Sequence, residues 1–286
     1  MNIDIPVIKI LNPFRFRYVS DNAVVKDVHH YPHTHDFCEL YFYIDGNCSY
    51  MVENGLFSLT PGTVIITRPG ELHSVMIDSE CMYERAYYQI YGGAFDFFGD
   101  KSVMRCFYDR PFGMDNTLVL DEASFGRCLE RLRRSAYAAE NGGADRNIRM
   151  FADALEILYE VNTCFDRRDG IQKNKPRDEL VNSAMRYITQ NLSELHSTAE
   201  LASKLYVSRE YLSRRFSDCT GMTLSRYMTL KRIELAKSML ADGHELADVC
   251  GECGWRDYSY FIAVFRREVG MTPVKYRREI SERIDG

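Results

Sequence analysis

The sequence is short of several features that would each have fixed a class at once. No stretch of its 286 residues approaches the roughly 18–20 consecutive apolar residues of a membrane-spanning helix. No low-complexity tract interrupts it. The opening MNIDIPVIKILNPFRFR carries Asp4 and Pro6 where a secretory signal needs an unbroken apolar stretch, so a cytoplasmic protein with no membrane partner is expected. Nine cysteines, an odd and scattered set, do not lay out a disulfide framework and read as thiols. There is no surplus of positive charge either: 36 basic against 41 acidic residues leave −5. Nucleic-acid binding therefore has to rest on where the cations lie, and the near-neutral stretch from Arg177 onward can still carry a basic face.

With 45% hydrophobic residues there is enough apolar material for two cores. From Phe14 to Tyr91, short aromatic and β-branched runs such as ELYFYI, GTVIIT and ERAYYQIY alternate with turn signals at Asp45-Gly46, Asn54-Gly55, Pro61-Gly62 and Pro69-Gly70. Closely spaced strands with this punctuation predict an antiparallel sandwich or barrel, assigned to residues 1–120. The period then becomes helical. Phe125, Leu129, Leu132, Ala136 and Ala139, and after Asn141-Gly142-Gly143 the set Ile148, Phe151, Leu155, Leu158 and Asn162, predict an αα-hairpin over 121–166. Its apolar stripes either cover the barrel or form a dimer interface. The polar segment DRRDGIQKNK before Pro176 reads as a linker over 167–176. The overall class is α+β: a barrel with a helical hairpin, then an all-α domain over 177–286.

In that last domain two stretches share one layout. Thr198 is a plausible cap for a short helix to Leu205, a turn follows, and Ser208 caps a second helix to Cys219. Later a short helix from Leu246 to Cys253, a turn at Gly254-Trp255 and a helix from about Asp257 to Val269 repeat the pattern. Each is a helix-turn-helix, over about 197–220 and 246–269. The roughly 18 residues between them, Leu224 to Ala241, form a helix about 27 Å long, which could set two readers one DNA turn apart.

LASKLYVSREYLSRRFSDCTGMTLSRYMTLKRIELAKSML, followed by DVCGECGW and YFIAVFRREVGMTPVKYRR, resembles the DNA-binding domain of AraC/XylS-family transcription regulators. The resemblance implies double-stranded promoter DNA as partner, with RNA polymerase and a second copy of the chain as further ones, and the role of an activator. By position in the family pattern it implies base reading by Arg209, Glu210, Ser213 and Arg214 in the first unit. In the second unit it implies Asp257, Tyr258, Ser259, Ile262 and Ala263. Ala263 and Ile262 are apolar and cannot make bidentate hydrogen bonds, so the second unit is expected to read less sequence. Ser208, Lys231, Arg232, Arg266, Arg267, Lys275, Arg277 and Arg278 are the candidate phosphate contacts. The Cys250-Gly-Glu-Cys253 spacing lies on a support helix and reads as packing, as does Trp255.

The N-terminal part carries His33-Thr-His35-Asp-Phe-Cys-Glu39, six residues, then Gly46, and later Pro69-Gly70-Glu-Leu-His73. These resemble the two motifs of the cupin barrel, in which two His, a Glu and a third His can meet at one metal; here Pro69 and Gly70 are adjacent where the enzyme-type pattern spaces them. No cofactor is assigned, with His33, His35, Glu39 and His73 as the set if a metal is held. The preferred expectation is an effector site of His33, His35, Glu39, Tyr41, Tyr43 and His73, suited to a sugar or another small polar molecule. The leading function is thus an effector-controlled, sequence-specific transcription regulator without enzymatic activity. A constitutive DNA-binding protein with a structural barrel, and a metal-dependent cupin enzyme, are the alternatives.

Overall fold

The computed structural model describes residues 14–23, 32–95, 99, 101–173 and 177–284. The chain divides into two compact units, Met1–Lys175 and Pro176–Gly286. Among the described residues, no helix is long and apolar enough to cross a membrane.

Among the described residues, the first unit has eight strands: β1 (Phe14–Ala23), β2 (Cys38–Asp45), β3 (Cys48–Val52), β4 (Gly55–Ser58), β5 (Thr63–Thr67), β6 (His73–Ile77), β7 (Cys81–Ile90) and β8 (Thr117–Val119). All paired neighbours are antiparallel, in a five-stranded sheet ordered β1-β7-β2-β5-β8 and a three-stranded sheet ordered β4-β3-β6. The two sheets share an inner core to which Tyr41, Ile65 and Tyr83 come from one and Tyr50, Val75 and Ile77 from the other.

Strand β2 explains why its sequence lacks polar alternation. Leu40, Phe42 and Ile44 face an outer core, while Tyr41 and Tyr43 face the inner one, so the strand is buried on both sides. The outer core is closed by a short helix α1 (Arg105–Tyr108) and by a hairpin of α2 (Glu122–Asn141) and α3 (Arg146–Arg167), through residues such as Phe107, Leu132, Leu158 and Phe165. The hairpin is thus part of the first unit's core rather than a separate body. Its inward line on α2 is Ser124, Cys128, Leu132, Ser135 and Ala138, with the expected Phe125 and Leu129 half-buried along its flank. Small residues win the inward line because two helices pressed on a sheet leave little room there. On α3, Ile148 is exposed and Leu158 lies in the core.

The expected linker over 167–176 is corrected in the same way. Arg167 ends α3, Arg168 closes it in the left-handed conformation, and Ile171 pairs with Leu118 beside β8. Gln172 N–H donates to Thr117 O at 2.9 Å, so backbone hydrogen bonding overrides the polar composition as far as that residue. Residues 174–176 of the expected linker, like the opening segment up to residue 13, lie outside the described residues.

The second unit is helical: α4 (Glu179–Gln190), α5 (Thr198–Lys204), α6 (Arg209–Thr220), α7 (Leu224–Ala241), α8 (Leu246–Glu252), α9 (Tyr258–Val269) and α10 (Pro273–Ile284). Helices α6 and α9 have 12 residues each and identical punctuation. Ser208 and Asp257 accept from the third N–H of their helices, and Gly221 and Gly270 end them at positive φ. Thr223 and Thr272 then cap α7 and α10, so Gly-Met-Thr occurs twice at the same place in the unit. The cap of α5 is Ser197, whose side chain accepts from Glu200 N, and not Thr198, which is already helical.

Candidate functional site

Two regions concentrate polar chemistry. In the first unit, one row of the five-stranded sheet runs Thr67, Glu39, Gln89 across β5, β2 and β7, because these residues pair directly and so share a face. Gln89 Nε2 donates to Glu39 Oε2 at 3.1 Å. Burial pushes the Glu39 carboxyl up to about 7, against that hydrogen bond.

His73 arrives at this row from the first residue of β6. Its backbone pairs with His33 (N–H to O at 3.0 and 3.1 Å), and its Nδ1 lies 2.8 Å from Glu71 O. A carbonyl only accepts, so Nδ1 carries the proton and Nε2 keeps its lone pair. The ring is wholly buried, Nε2 has no hydrogen-bond partner among the described residues, and burial beside His33 holds the imidazole down to about 3. His35 stacks on Phe37 (centroids 3.8 Å, 11°) and stands 4.7 Å from the His73 ring. One ligand atom each from His35, Glu39 and His73 lies within 4.8 Å of the others. Below them sit Tyr41 and Tyr50, centroids 5.0 Å apart. Tyr41 Oη and Thr67 Oγ1 are buried without a hydrogen-bond partner among the described residues.

The loop that carries His73 is fixed by Glu71. Its carboxylate takes Arg110 Nη1 and Nη2 at 2.7 Å each, Gly113 N–H at 2.7 Å, Asn116 Nδ2 at 2.9 Å and Arg68 N–H at 3.0 Å. Both ion-pair side chains are fully buried. Burial alone would raise the Glu71 carboxyl; the guanidinium and the two backbone N–H donors outweigh it and hold it below the usual range.

In the second unit, Arg209, Glu210, Tyr211 and Arg214 are exposed on α6, Ser213 is half-buried, and Leu212 and Phe216 are core residues. Arg214 lies over the Tyr211 ring at 5.9 Å. On α9, Asp257, Tyr258, Ser259 and Ala263 are exposed.

The helix-turn-helix domain family matches residues 201–279, and the AraC-like ligand binding domain family matches residues 25–152. Between them they account for well over half of the chain. The chain belongs to the AraC/XylS family of transcription regulators. It is 24% identical over 272 residues to the HTH-type transcriptional activator RhaR of Yersinia pestis bv. Antiqua (strain Angola), covering 91% of each chain. Over 104 residues it is 35% identical to the RhaR activator of Yersinia pseudotuberculosis serotype O:1b (strain IP 31758), 36% of each chain. Among solved structures, the DNA-binding domain of AdpA in complex with a target DNA aligns at 28% identity and a TM-score of 0.35, covering 37% of this chain and 96% of that one.

An AraC/XylS regulator reads DNA through its paired helix-turn-helix units, and several residues assigned to that task turn out to do other work. Lys231 and Arg232 are buried. Arg232 donates to Leu195 O and lies 5.1 Å over the Trp255 ring, joining the segment before α5 to the turn of the second helix-turn-helix. Lys231 lies over Tyr227 at 5.0 Å. Neither is placed to meet a phosphate. Ile262 is half-buried against the core of Val249, Phe261 and Phe265, which removes it from the base-reading set. Ser208, Arg266, Arg267, Lys275 and Arg278 remain exposed, and Arg277 is half-buried, with Nη1 3.4 Å from Glu245 Oε2. Cys250 and Cys253 are buried, with sulfurs against Trp255 O (3.8 Å) and Met239 Sδ (3.9 Å).

Of the barrel candidates, His35, Glu39 and His73 meet with Tyr41 beneath, Tyr43 packs deeper in the inner core, and His33 is exposed with its ring 4.4 Å from His73. Sequence reasoning missed Glu71 and Arg110, 39 positions apart.

Proposed function

We propose that this chain is a transcription activator whose output is set by a small polar, polyhydroxylated molecule such as a sugar, held beside His35, Glu39, Tyr41 and His73. The observation that carries this reading is the group of buried polar atoms around the Glu39 row, Tyr41 Oη, Thr67 Oγ1 and His73 Nε2, that lack hydrogen-bond partners among the described residues. Unpaired polar atoms in a protein core are costly, so a cluster of them supports a polar occupant. Aromatic faces at Tyr41 and Tyr50 beside carboxylate and imidazole suit hydroxyl groups on an apolar ring. The activator role agrees with the names of the Yersinia relatives.

In this reading the protein is a cytoplasmic regulator and not an enzyme. It works as a homodimer and engages RNA polymerase at the promoter. Tyr137 on α2 and Ile148 and Tyr159 on α3, each more than 60% exposed, are the apolar residues offered to a second copy. The deciding experiment is a melting-temperature screen of sugars and polyols, followed by transcription from the regulated promoter with each hit. A ligand that raises Tm in the native chain but not in Tyr41→Phe or Glu39→Gln, and that switches transcription, is expected. Regulation that ignores every ligand and both variants would make the barrel structural.

A further inference from the structure

A cleft of about 770 Å³ opens in the first unit where β2 begins, β7 ends and α1 packs beside them. Its walls include Phe37, Cys38, Tyr91, Phe95, Met104 and Tyr108, and none of His35, Glu39, Tyr41 and His73 lines it. Phe37 and Tyr91 meet edge to face, with centroids 5.4 Å apart. Close packing leaves few voids larger than a water molecule, and a cleft of this volume with aromatic walls is the usual form of a small-molecule site.

The charges around the cleft favour neither sign. Arg105 belongs to the wall, but Asp166 binds it, with Oδ2 3.0 Å from Nε and 2.8 Å from Nη2. Arg15 and Arg68 stand over the Tyr91 and Tyr108 rings at 5.9 and 6.0 Å, which works against a further cation. Asp36 and Asp109, exposed at the rim, work against an anion. The remaining polar groups are neutral. Cys38 Sγ and Tyr108 Oη lie 3.4 Å apart, and burial pushes both groups up, the thiol to about 12, so both keep their protons at neutral pH. The hydrogen bond between them uses one of their two hydrogens and leaves the other for an oxygen acceptor.

We propose that this cleft is a second small-molecule site, taking an uncharged planar aromatic compound that carries a carbonyl or hydroxyl oxygen. The ring of the compound lies among Phe37, Tyr91 and Tyr108, and its oxygen accepts from the Cys38–Tyr108 pair. Phe37 also stacks on His35 (centroids 3.8 Å, 11°), so an occupant bears on the side chain that backs the barrel cluster. The assignment does not depend on the regulatory reading above, because none of the residues given there to the effector forms this cleft.

The test uses the full chain with coumarin and flavone, neutral planar aromatics with one carbonyl each, followed by calorimetry and by Tm. One saturable equivalent and a rise in Tm are expected with at least one of them. Carboxylate and aminomethyl derivatives of the compound that binds should be weaker by at least about tenfold, since each carries an unpaired charge out of water. Gly92 and Ala94 line the cleft, and a Cβ added at Gly92 would meet no atom within 4 Å. Gly92→Phe and Ala94→Phe should fill the space and weaken binding by at least about tenfold. If one of them fails to fold, as judged by circular dichroism, the other carries the result. Tyr41→Phe and Glu39→Gln, which alter the barrel cluster, should bind as the native chain does. Absence of saturable uptake, stronger binding of a charged derivative, or native-strength binding in the folded Phe variants would overturn the assignment. Loss confined to the barrel variants would overturn it as well, by moving the compound into the barrel.

Discussion

Glu71 and Arg110 form a two-pronged ion pair, both contacts at 2.7 Å and both side chains without solvent exposure. The pair has a second role, since the backbone carbonyl of the same Glu71 sets the proton position of His73. The loop that presents the His73 imidazole is thereby pinned to the segment that follows α1.

Arg110→Ala should therefore destabilise the first unit by about 3–5 kcal/mol, because it leaves the Glu71 charge buried with its guanidinium gone. Urea unfolding followed by tyrosine fluorescence would read this. The double variant Glu71→Gln, Arg110→Met should recover much of the loss. Equal instability of the single and double variants would mean that packing, not charge, dominates.

Acid should unfold the first unit through two groups. The Glu71 carboxyl is held below its ordinary value, so its contribution is complete above about pH 4.3 and is lost as the pH falls through the folded value. His73 is pushed down to about 3, so the folded state resists protonating it, and stability drops from about pH 6.5 downward. Glu39 works the other way: raised to about 7, it favours the fold most at low pH and loses that advantage as the pH climbs through neutrality. Glu39→Gln should gain Tm over the native chain at pH 8 and lose that gain at pH 5. A pH-independent difference would contradict the buried-carboxyl account.

Arg214→Ala should cost about 1–3 kcal/mol on the target site, confined to one base position, with Tm unchanged. The side chain is exposed on α6 between the buried Leu212 and Phe216, so removing it leaves the core intact. Equal weakening on target and random DNA would reassign it as a phosphate contact.

Arg232→Ala and Arg266→Ala should separate cleanly. Arg266 is exposed at the end of α9, and its loss should reduce the salt dependence of DNA binding by about one ion. Arg232 is buried between Leu195 O and Trp255, so its loss should lower stability by about 1–3 kcal/mol and leave the salt slope alone. A changed salt slope in Arg232→Ala would return it to the DNA interface.

Replacing Tyr159 and Ile148 with Asp should dissociate the proposed dimer in sedimentation while preserving the fold, because both are exposed on α3. Leu158, one position away, could not test this, since it lies in the core and a charge there would unfold the unit.

What the sequence made legible was what local chemistry decides. Ser208 and Asp257 as caps, Gly221 and Gly270 as stops, and the strand punctuation around Gly46 and Gly62 depend on neighbours within a few residues. What stayed hidden depends on partners far along the chain. Arg232 reads as a surface cation until Trp255 and the Leu195 carbonyl enclose it. Glu71 is an ordinary acidic residue until Arg110 and Asn116 arrive. The inward line of α2 keeps Leu132 from the predicted stripe but otherwise runs through Ser124, Cys128, Ser135 and Ala138, which the predicted period passed over. At the barrel site, His35, Glu39 and His73 could be named from the resemblance to the cupin motifs, but the backbone pairing that sets His33 beside His73 could not be read from it.

The duplicated frame of the second unit has a consequence for the promoter. Caps and stops recur at one offset, yet the exposed faces differ: Arg209, Glu210 and Arg214 on α6 against Tyr258, Ser259 and Ala263 on α9. One copy thus presents two unlike faces in a fixed order, so an operator read by both faces of one copy has a direction. Turning that operator end for end turns a bound copy with it. For one bound copy, the proposed polymerase contact would then exist in one orientation of the site and be lost in the other.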